Sequence, residues 1–276
     1  MTYSQKFFNS ANESNPEGEL AVNILVGNII EIATAHANML GIGNPAMAHL
    51  GAGWVLSRLT IEMTRYPKCN TSYVLKTWVE NWNRHFSTRD FSVEDEAGNI
   101  LGYARSVWMV LDMTTHDNFG LAHLSLRDES VCGEPCPIAP QAKHTEILPY
   151  LTSESNANPK ALKANVPDAE YTFKYNDIDF YRHVNTVRYI TILLNRYSLE
   201  EFDRNFVNRL ELSFLHEGSF GDTVSILRHN SSPLDSAFSL VSHKTGRPVI
   251  FARLTLAPRC QMSPVSEKSA LDVHVG

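Results

Sequence analysis

The feature that most constrains the fold is a helix followed by four strands, an order that the sequence contains twice. In the first half, residues 20–40 are apolar around most of the circumference of a helix, which predicts a helix wrapped by a sheet. Gly41 and Gly43 end this helix. The runs that follow are rich in Val, Trp, Tyr, Phe and Thr, as strands are; they cover 54–66, 72–79, 85–93 and 100–112.

The second half repeats this order. A short strand at 171–175 leads to a helix with apolar residues at helical spacing from Val187 to Tyr197. The strands predicted after it are 206–216, 223–229, 237–242 and 249–257. One matched spacing supports a duplication. Gly98 lies six residues before Ala104-Arg105, and Gly246 lies six residues before Ala252-Arg253.

A buried helix and a curled antiparallel sheet, each occurring twice, predict the class α+β and a tandem hot-dog fold. The two sheets are expected to pair edge to edge, and a pair of independent α+β domains is the fallback. We expect an N-terminal hot-dog at 1–130, a C-terminal hot-dog at 168–262 and a tail at 263–276. Residues 131–167, which contain six prolines in their span, read as the linker between them.

Composition restricts the class of protein. The net charge of −6 argues against a general nucleic-acid binder. The start of the chain has no secretory pattern, and the most apolar stretch is too polar to span a bilayer, so we expect a cytoplasmic protein. The four cysteines are scattered and are expected to be free thiols. No metal site and no cofactor are predicted.

Residues 175–190 place polar side chains at a corner between a strand and a helix. Asp179 and His183 are expected near the start of the helix, where backbone N–H groups carry a partial positive charge. This geometry suits an attack on a carbonyl group. Some of these polar residues are also suited to structural roles. For Asp177, capping the turn is the favoured interpretation. Asn185 is equally suited to an N-cap or to a catalytic role.

Several segments together resemble the acyl-acyl carrier protein thioesterases, which end fatty-acid synthesis. The resemblance extends over most of the chain, and the combination is more specific than any one motif. The segments that carry it are 54–59, 66–67, 76–79, 104–108, 175–179, 183–185 and 187–190. Because no transit peptide precedes them, the chain resembles a bacterial member of the family.

The resemblance implies a set of catalytic residues. Asp179 and His183 fall on the aspartate and the histidine of the family pattern, and Glu217 falls on its glutamate. Two positions depart from the pattern: Tyr181 stands where an asparagine is expected, and Gly218 stands where a cysteine is expected. The second departure excludes a cysteine nucleophile at that point.

The implied function is hydrolysis of fatty acyl-carrier protein by water that a carboxylate activates, with the acyl chain held in the N-terminal half. Tyr181 and Asn185 are the expected substrate-positioning residues, and Arg182, Arg188 and Arg196 are the expected contacts with the acidic carrier protein. The alternatives are an acyl-CoA thioesterase and a non-catalytic acyl-binding hot-dog module. The oligomeric state stays open, a homodimer included.

Overall fold

The computed structural model describes residues 1–122, 124, 126, 128–141 and 167–259. In this part of the chain the first half contains β1 (Thr2–Asn9), α1 (Val22–Met39), α2 (Asn44–His49), β2 (Ala52–Met63), β3 (Thr71–Trp82), β4 (Ser87–Asp95) and β5 (Ile100–Asp112). The second half contains β6 (Ala169–Thr172), α3 (Thr186–Leu194), α4 (Leu199–Arg204), β7 (Asn205–Phe214), β8 (Thr223–Ser232), β9 (Asp235–Ser242) and β10 (Pro248–Pro258).

The ten strands form one antiparallel sheet in the order β1-β3-β4-β5-β2-β7-β10-β9-β8-β6. The order in the second half is the reverse of the order in the first half, so the two halves are related by an approximate two-fold axis. The axis passes between β2 and β7, which pair from Arg58 opposite Ser213 to Glu62 opposite Arg209. The Tyr66 hydroxyl adds a bond across the joint, 2.8 Å to the carbonyl of Val207. The expected edge-to-edge pairing is confirmed.

The two long helices lie against the same face of this sheet. The buried side of α1 includes Leu25, Val26 and Ile29, and one apolar cluster runs without a break from these residues to Ile190 and Leu193 of α3. A helix that a sheet covers on several sides buries more apolar surface than a surface helix does, which explains the apolar circumference seen in the sequence. The architecture is the tandem hot-dog. Among the described residues, no helix is long and apolar enough to cross a bilayer.

The matched spacing seen in the sequence corresponds to matched hairpins. Gly98 (φ 83°) and Gly246 (φ 65°) lie in the β4–β5 and β9–β10 turns, where a positive φ favours glycine. Behind each turn an alanine faces a phenylalanine on the neighbouring strand: Ala104 opposite Phe91, and Ala252 opposite Phe238. The duplication inferred from this spacing is therefore a duplication of structure.

Four elements differ from the predictions. Strand β1 was not predicted, because only alternate residues of this edge strand are partly buried. Helix α2 begins directly after Gly43 and has a proline in its first turn, whereas Gly43 was expected only to end α1. Helix α3 ends at Leu194 rather than near Tyr197, and α4 begins directly after Ser198, which forms a capping box with Glu201.

The first part of the predicted linker lies on the outer face of the sheet. The amide of Cys132 donates to Val79 on β3 (2.8 Å), and Gln141 donates to Ser213 on β7 (2.7 Å). Between these ends, the buried Asp90 accepts from the amide of Cys136 (2.6 Å) and from Arg105 (3.1 Å). Residues 142–166 of the linker and the predicted tail lie outside the described residues.

Replacing Asp90 by asparagine is expected to lower the free energy of unfolding by about 1.5–3 kcal/mol, because the mostly buried guanidinium of Arg105 loses one of its two carboxylate partners and retains only Glu80. Urea denaturation measures the change. The control is Glu96→Gln, which breaks the exposed pair of Lys6 and Glu96 and is expected to leave the unfolding midpoint in place. Equal midpoints for the two variants would show that the Asp90 contacts do not hold the linker to the sheet.

Candidate active site

A tight turn between β6 and α3 presents the residues that the sequence singles out. The amide of Asp179 donates to the carbonyl of His183 (2.8 Å), and the amide of Arg182 donates to the carbonyl of Asp179 (3.0 Å). Arg182 closes this loop with a φ of 70°, a left-handed conformation that costs a non-glycine residue about 1 kcal/mol. The short loop holds Asp179 and His183 side by side.

The carboxylate of Asp179 is oriented by the backbone of its own turn. Its Oδ1 accepts from the amide of Tyr181 (2.9 Å) and from the amide of His183 (3.2 Å). Oδ2 accepts no hydrogen bond from the described residues, and Asp179 lines the cleft between the two halves of the molecule. One oxygen is therefore committed to the structure and the other is available to a ligand.

His183 and Glu217 form a second pair in the same cleft. The Nε2 atom of His183 lies 3.1 Å from the Oε2 atom of Glu217, and both side chains are partly exposed. Glu217 follows the end of β7, and the neighbouring carbonyl of Gly218 accepts from the amide of Val184 (2.9 Å). This bond ties the end of β7 to the turn, so residues 34 positions apart in the sequence meet.

The start of α3 faces the cleft. The Oδ1 atom of Asn185 accepts from the amide of Val187 (2.9 Å), so the predicted N-cap is confirmed. This leaves the side-chain NH₂ group of Asn185 and the amide of Thr186 at the cleft wall. Neither has a hydrogen-bond partner among the described residues. Asp179 lines the same cavity.

Asp177 has the structural role that the sequence favoured. Its carboxylate accepts from the amide of Lys174 (2.7 Å) and from the hydroxyl of Tyr171 (2.9 Å). Its carbonyl accepts from the amide of Asn185 (2.8 Å). Asp177 is buried and stabilises the turn from behind.

Tyr181 stands at the cleft mouth, next to Asp179. Its ring lies 3.8 Å from the ring of Phe180, which is 80% exposed. Partial burial, and then the negative charge of Asp179, raises the pKa of the Tyr181 phenol. The hydroxyl is therefore a proton donor at neutral pH.

The cleft opens into a second cavity that lies along α1. The cleft, of about 660 Å³, is lined by Asp179, His183 and Glu217. The inner cavity, of about 260 Å³, extends into the N-terminal half. Residues that line both are Ile30, Trp54, Trp108, Asp179, Tyr181 and Thr186. The apolar part of the wall of the inner cavity, which includes Ile30, Ala33 and three tryptophans, suits an alkyl chain attached to a group bound beside Asp179.

The three predicted carrier contacts differ in availability. Arg182 is exposed at the tip of the turn. Arg188 donates its Nε to the carbonyl of Asn176 (2.9 Å) and is half-buried. Arg196 lies 3.7 Å from Asp168 in an ion pair, with 28% of its side chain exposed. Arg182 is thus the most accessible cation of the three.

The first half contains a turn with the same backbone geometry but with different side chains. Glu19 donates its amide to Asn15 Oδ1 (2.8 Å), as His183 does to Asp179. Gly18 takes the place of Arg182, with a φ of 69°. The Glu19 carboxylate is bound by Lys68 (2.7 Å) and Arg259 (2.6 Å). This counterpart turn lines a separate cleft of about 450 Å³.

Comparison with known proteins places this arrangement in a family. Residues 1–119 match the acyl-ACP thioesterase N-terminal domain, and residues 160–248 match the acyl-ACP thioesterase C-terminal domain. The chain is similar to the crystal structure of an acyl-ACP thioesterase from Bacteroides thetaiotaomicron, at 29% identity and a TM-score of 0.80, covering 93% of this chain and 98% of that one.

Curated relatives give the same result. A palmitoyl-acyl carrier protein thioesterase of Gossypium hirsutum is 28% identical over 229 residues, 79% of this chain and 52% of the relative. An oleoyl-acyl carrier protein thioesterase of Arabidopsis thaliana is 24% identical over 258 residues, 89% of this chain and 66% of the relative. The chain thus spans about half the length of the first of these relatives. With both domains of one family matched in order, the chain belongs to the acyl-ACP thioesterase family.

Proposed function

We propose that the chain hydrolyses the thioester between a fatty acid and acyl carrier protein, and releases the free acid and the carrier thiol. The observation that carries this proposal is the position of Asp179, which lines both the cleft that contains His183 and Glu217 and the inner cavity along α1. A thioester carbonyl beside Asp179 leaves its acyl chain facing α1 and its carrier arm facing the cleft mouth. A cytoplasmic location and the lack of a nucleic-acid partner remain predictions from the sequence.

Asp179 is the proposed general base. Its free Oδ2 takes a proton from water as the water oxygen attacks the carbonyl carbon, a role worth about 10²–10⁴-fold in rate. The oxyanion that forms is held by the amide of Thr186, with Asn185 or Tyr181 as a second donor. When the C–S bond breaks, the thiolate leaves and is reprotonated by Asp179 or His183. Glu217 orients His183 through the 3.1 Å contact.

A cysteine nucleophile has no place in this mechanism, because Gly218 occupies the position of the family cysteine. A Cβ atom on Gly218 would lie 2.7 Å from the Tyr189 hydroxyl and 2.9 Å from Val184 Cγ2. Tyr189 therefore fills the space that a side chain at position 218 would need.

Replacing Asp179 by asparagine is expected to lower kcat for acyl-carrier protein by about 10²–10⁴-fold, because the base is lost. Asparagine retains an Oδ1 atom for the two turn bonds, as Asn15 does in the first half, so the fold is expected to persist. Steady-state hydrolysis measures kcat, and circular dichroism checks the fold. The matched control Asn15→Ala is expected to retain wild-type kcat. A folded Asp179→Asn protein with near wild-type turnover would exclude Asp179 as the base.

Carrier recognition is tested with Arg182→Gly combined with Arg188→Gln. Glycine suits the left-handed backbone at position 182, so the double variant removes two charges without adding strain. KM for acyl-carrier protein is expected to rise roughly fivefold, and KM for acyl-CoA of the same chain length is expected to stay unchanged. The control is Arg247→Gln, which removes an exposed cation in the β9–β10 turn. An equal rise for both substrates would favour an acyl-CoA thioesterase.

Gly218→Ala is expected to lower the free energy of unfolding by about 1–3 kcal/mol, because the added methyl group overpacks the site. In a Tyr189→Phe background the same substitution is expected to cost less, since the hydroxyl it meets is gone. A double-mutant cycle in urea measures the coupling. Equal costs in both backgrounds would show that Tyr189 does not fill the position of the family cysteine.

A further inference from the structure

The inner cavity contains a buried cation. Arg89 of β4 lines the cavity together with Trp54, Trp82 and Trp108, and only 4% of its surface is exposed. Burial lowers the pKa of the guanidinium to about 10, so it is still charged at neutral pH. An apolar pocket for a hydrocarbon chain has no evident need for such a group.

Arg89 is held by neutral partners. Its Nη1 atom donates to Nδ1 of His36 (2.7 Å) and to the hydroxyl of Thr77 (3.3 Å). Because a guanidinium only donates, His36 accepts and is neutral. Burial, and then the charge of Arg89, lowers the pKa of His36 to about 4. Among the described residues, no carboxylate pairs with Arg89, and its Nε and Nη2 atoms have no acceptor.

The C-terminal half also contains a guanidinium against its helix and sheet, that of Arg228, and all three of its nitrogen atoms have hydrogen-bond acceptors. Arg228 lies opposite Phe238 on the neighbouring strand, as Thr77 lies opposite Phe91. It donates to the hydroxyl of Ser236 (3.3 Å), a residue that takes the place of Arg89 on β9. It also donates to Asn230 (2.9 Å) and to the carbonyl of Arg196 (2.7 Å).

The guanidinium of Arg228 is also covered by an aromatic ring, whereas Arg89 faces the cavity. Tyr197 covers the guanidinium of Arg228, with its ring centre 4.3 Å from the Cζ atom. In the first half, Ala33 of α1 lines the cavity together with Arg89.

A plain alkyl chain against Arg89 would remove water from its free donors without replacing the hydrogen bonds, which is unfavourable for a charged group. An oxygen atom at this depth of the chain would accept from them instead. A neutral oxygen suits the site, because a carboxylate would lose its hydration on the way past the tryptophans.

We propose that Arg89 is a specificity-determining residue that binds a hydroxyl or keto oxygen carried by the acyl chain, so that the protein prefers oxygenated chains to plain chains of the same length. This inference rests on the proposed acyl-thioester hydrolysis, and it adds the substrate class.

The test is a set of acyl thioesters of one chain length, either plain or hydroxylated at successive carbons. For wild-type protein, kcat/KM is expected to peak at one hydroxyl position, at about tenfold or more above the plain chain. In Arg89→Met the peak is expected to vanish and the plain chain to be hydrolysed better than by wild type. A flat wild-type profile would overturn the proposal, and this result does not depend on the folding of the variant. A peak that persists in Arg89→Met would also overturn it.

The control is Arg228→Met, which removes the guanidinium that lies on the neighbouring strand in the other half, and it is expected to leave the ratio of oxygenated to plain substrate unchanged. Calorimetric binding of the free hydroxy acid and the free plain acid to wild-type protein separates the two proposals. Tighter binding of the hydroxy acid without any thioester hydrolysis would support Arg89 and contradict the proposed function. Hydrolysis with equal binding of both acids would contradict only the role of Arg89.

Discussion

The pairing of β2 with β7 is the interaction on which the rest of the structure depends. Five residue pairs, from Arg58–Ser213 to Glu62–Arg209, join two five-stranded halves into one sheet, and one apolar core continues across the joint. The cleft has walls from both halves: α1 and β2 on one side, the turn before α3 and the end of β7 on the other. Without this pairing, the turn that carries Asp179 would be separated from the cavity wall that α1 and β2 form.

Duplication supplied the same turn twice, and the two copies now serve different purposes. In the second half the turn presents Asp179 and His183 to a cleft. In the first half the corresponding Glu19 is fixed between Lys68 and Arg259, and Tyr66, at the position that matches Glu217, bonds across the joint to Val207. An ion-paired carboxylate and a buried phenol stabilise the junction but offer no free base. The asymmetry extends to the two guanidinium groups, since Tyr197 covers Arg228 whereas Arg89 lines the inner cavity.

Much of the fold and the outline of the site could be predicted from the sequence. The apolar circumference of α1, the Asn185 cap and the paired glycine turns are local signals with a direct physical meaning. Strand β1 was missed because an edge strand has little alternation to detect. The early end of α3 was missed because Tyr197 continues the helical spacing of apolar residues past Leu194. A shared site for His183 and Glu217 could be predicted only from the family resemblance. The burial of Arg89 could not be predicted from the sequence, because it depends on how β3, α1 and the cavity come together. The same holds for its lack of a counter-ion among the described residues.

The central claim is that an acyl thioester binds across the two halves, with its carbonyl beside Asp179 and its chain along α1. A crystal structure with an amide analogue of acyl-pantetheine, which the enzyme cannot hydrolyse, tests this most directly through the position of the bound chain. The account predicts the carbonyl oxygen within hydrogen-bond distance of the Thr186 amide, and the chain between Trp54 and Trp108. A chain bound instead in the counterpart cleft beside Glu19 and Tyr66 would contradict it.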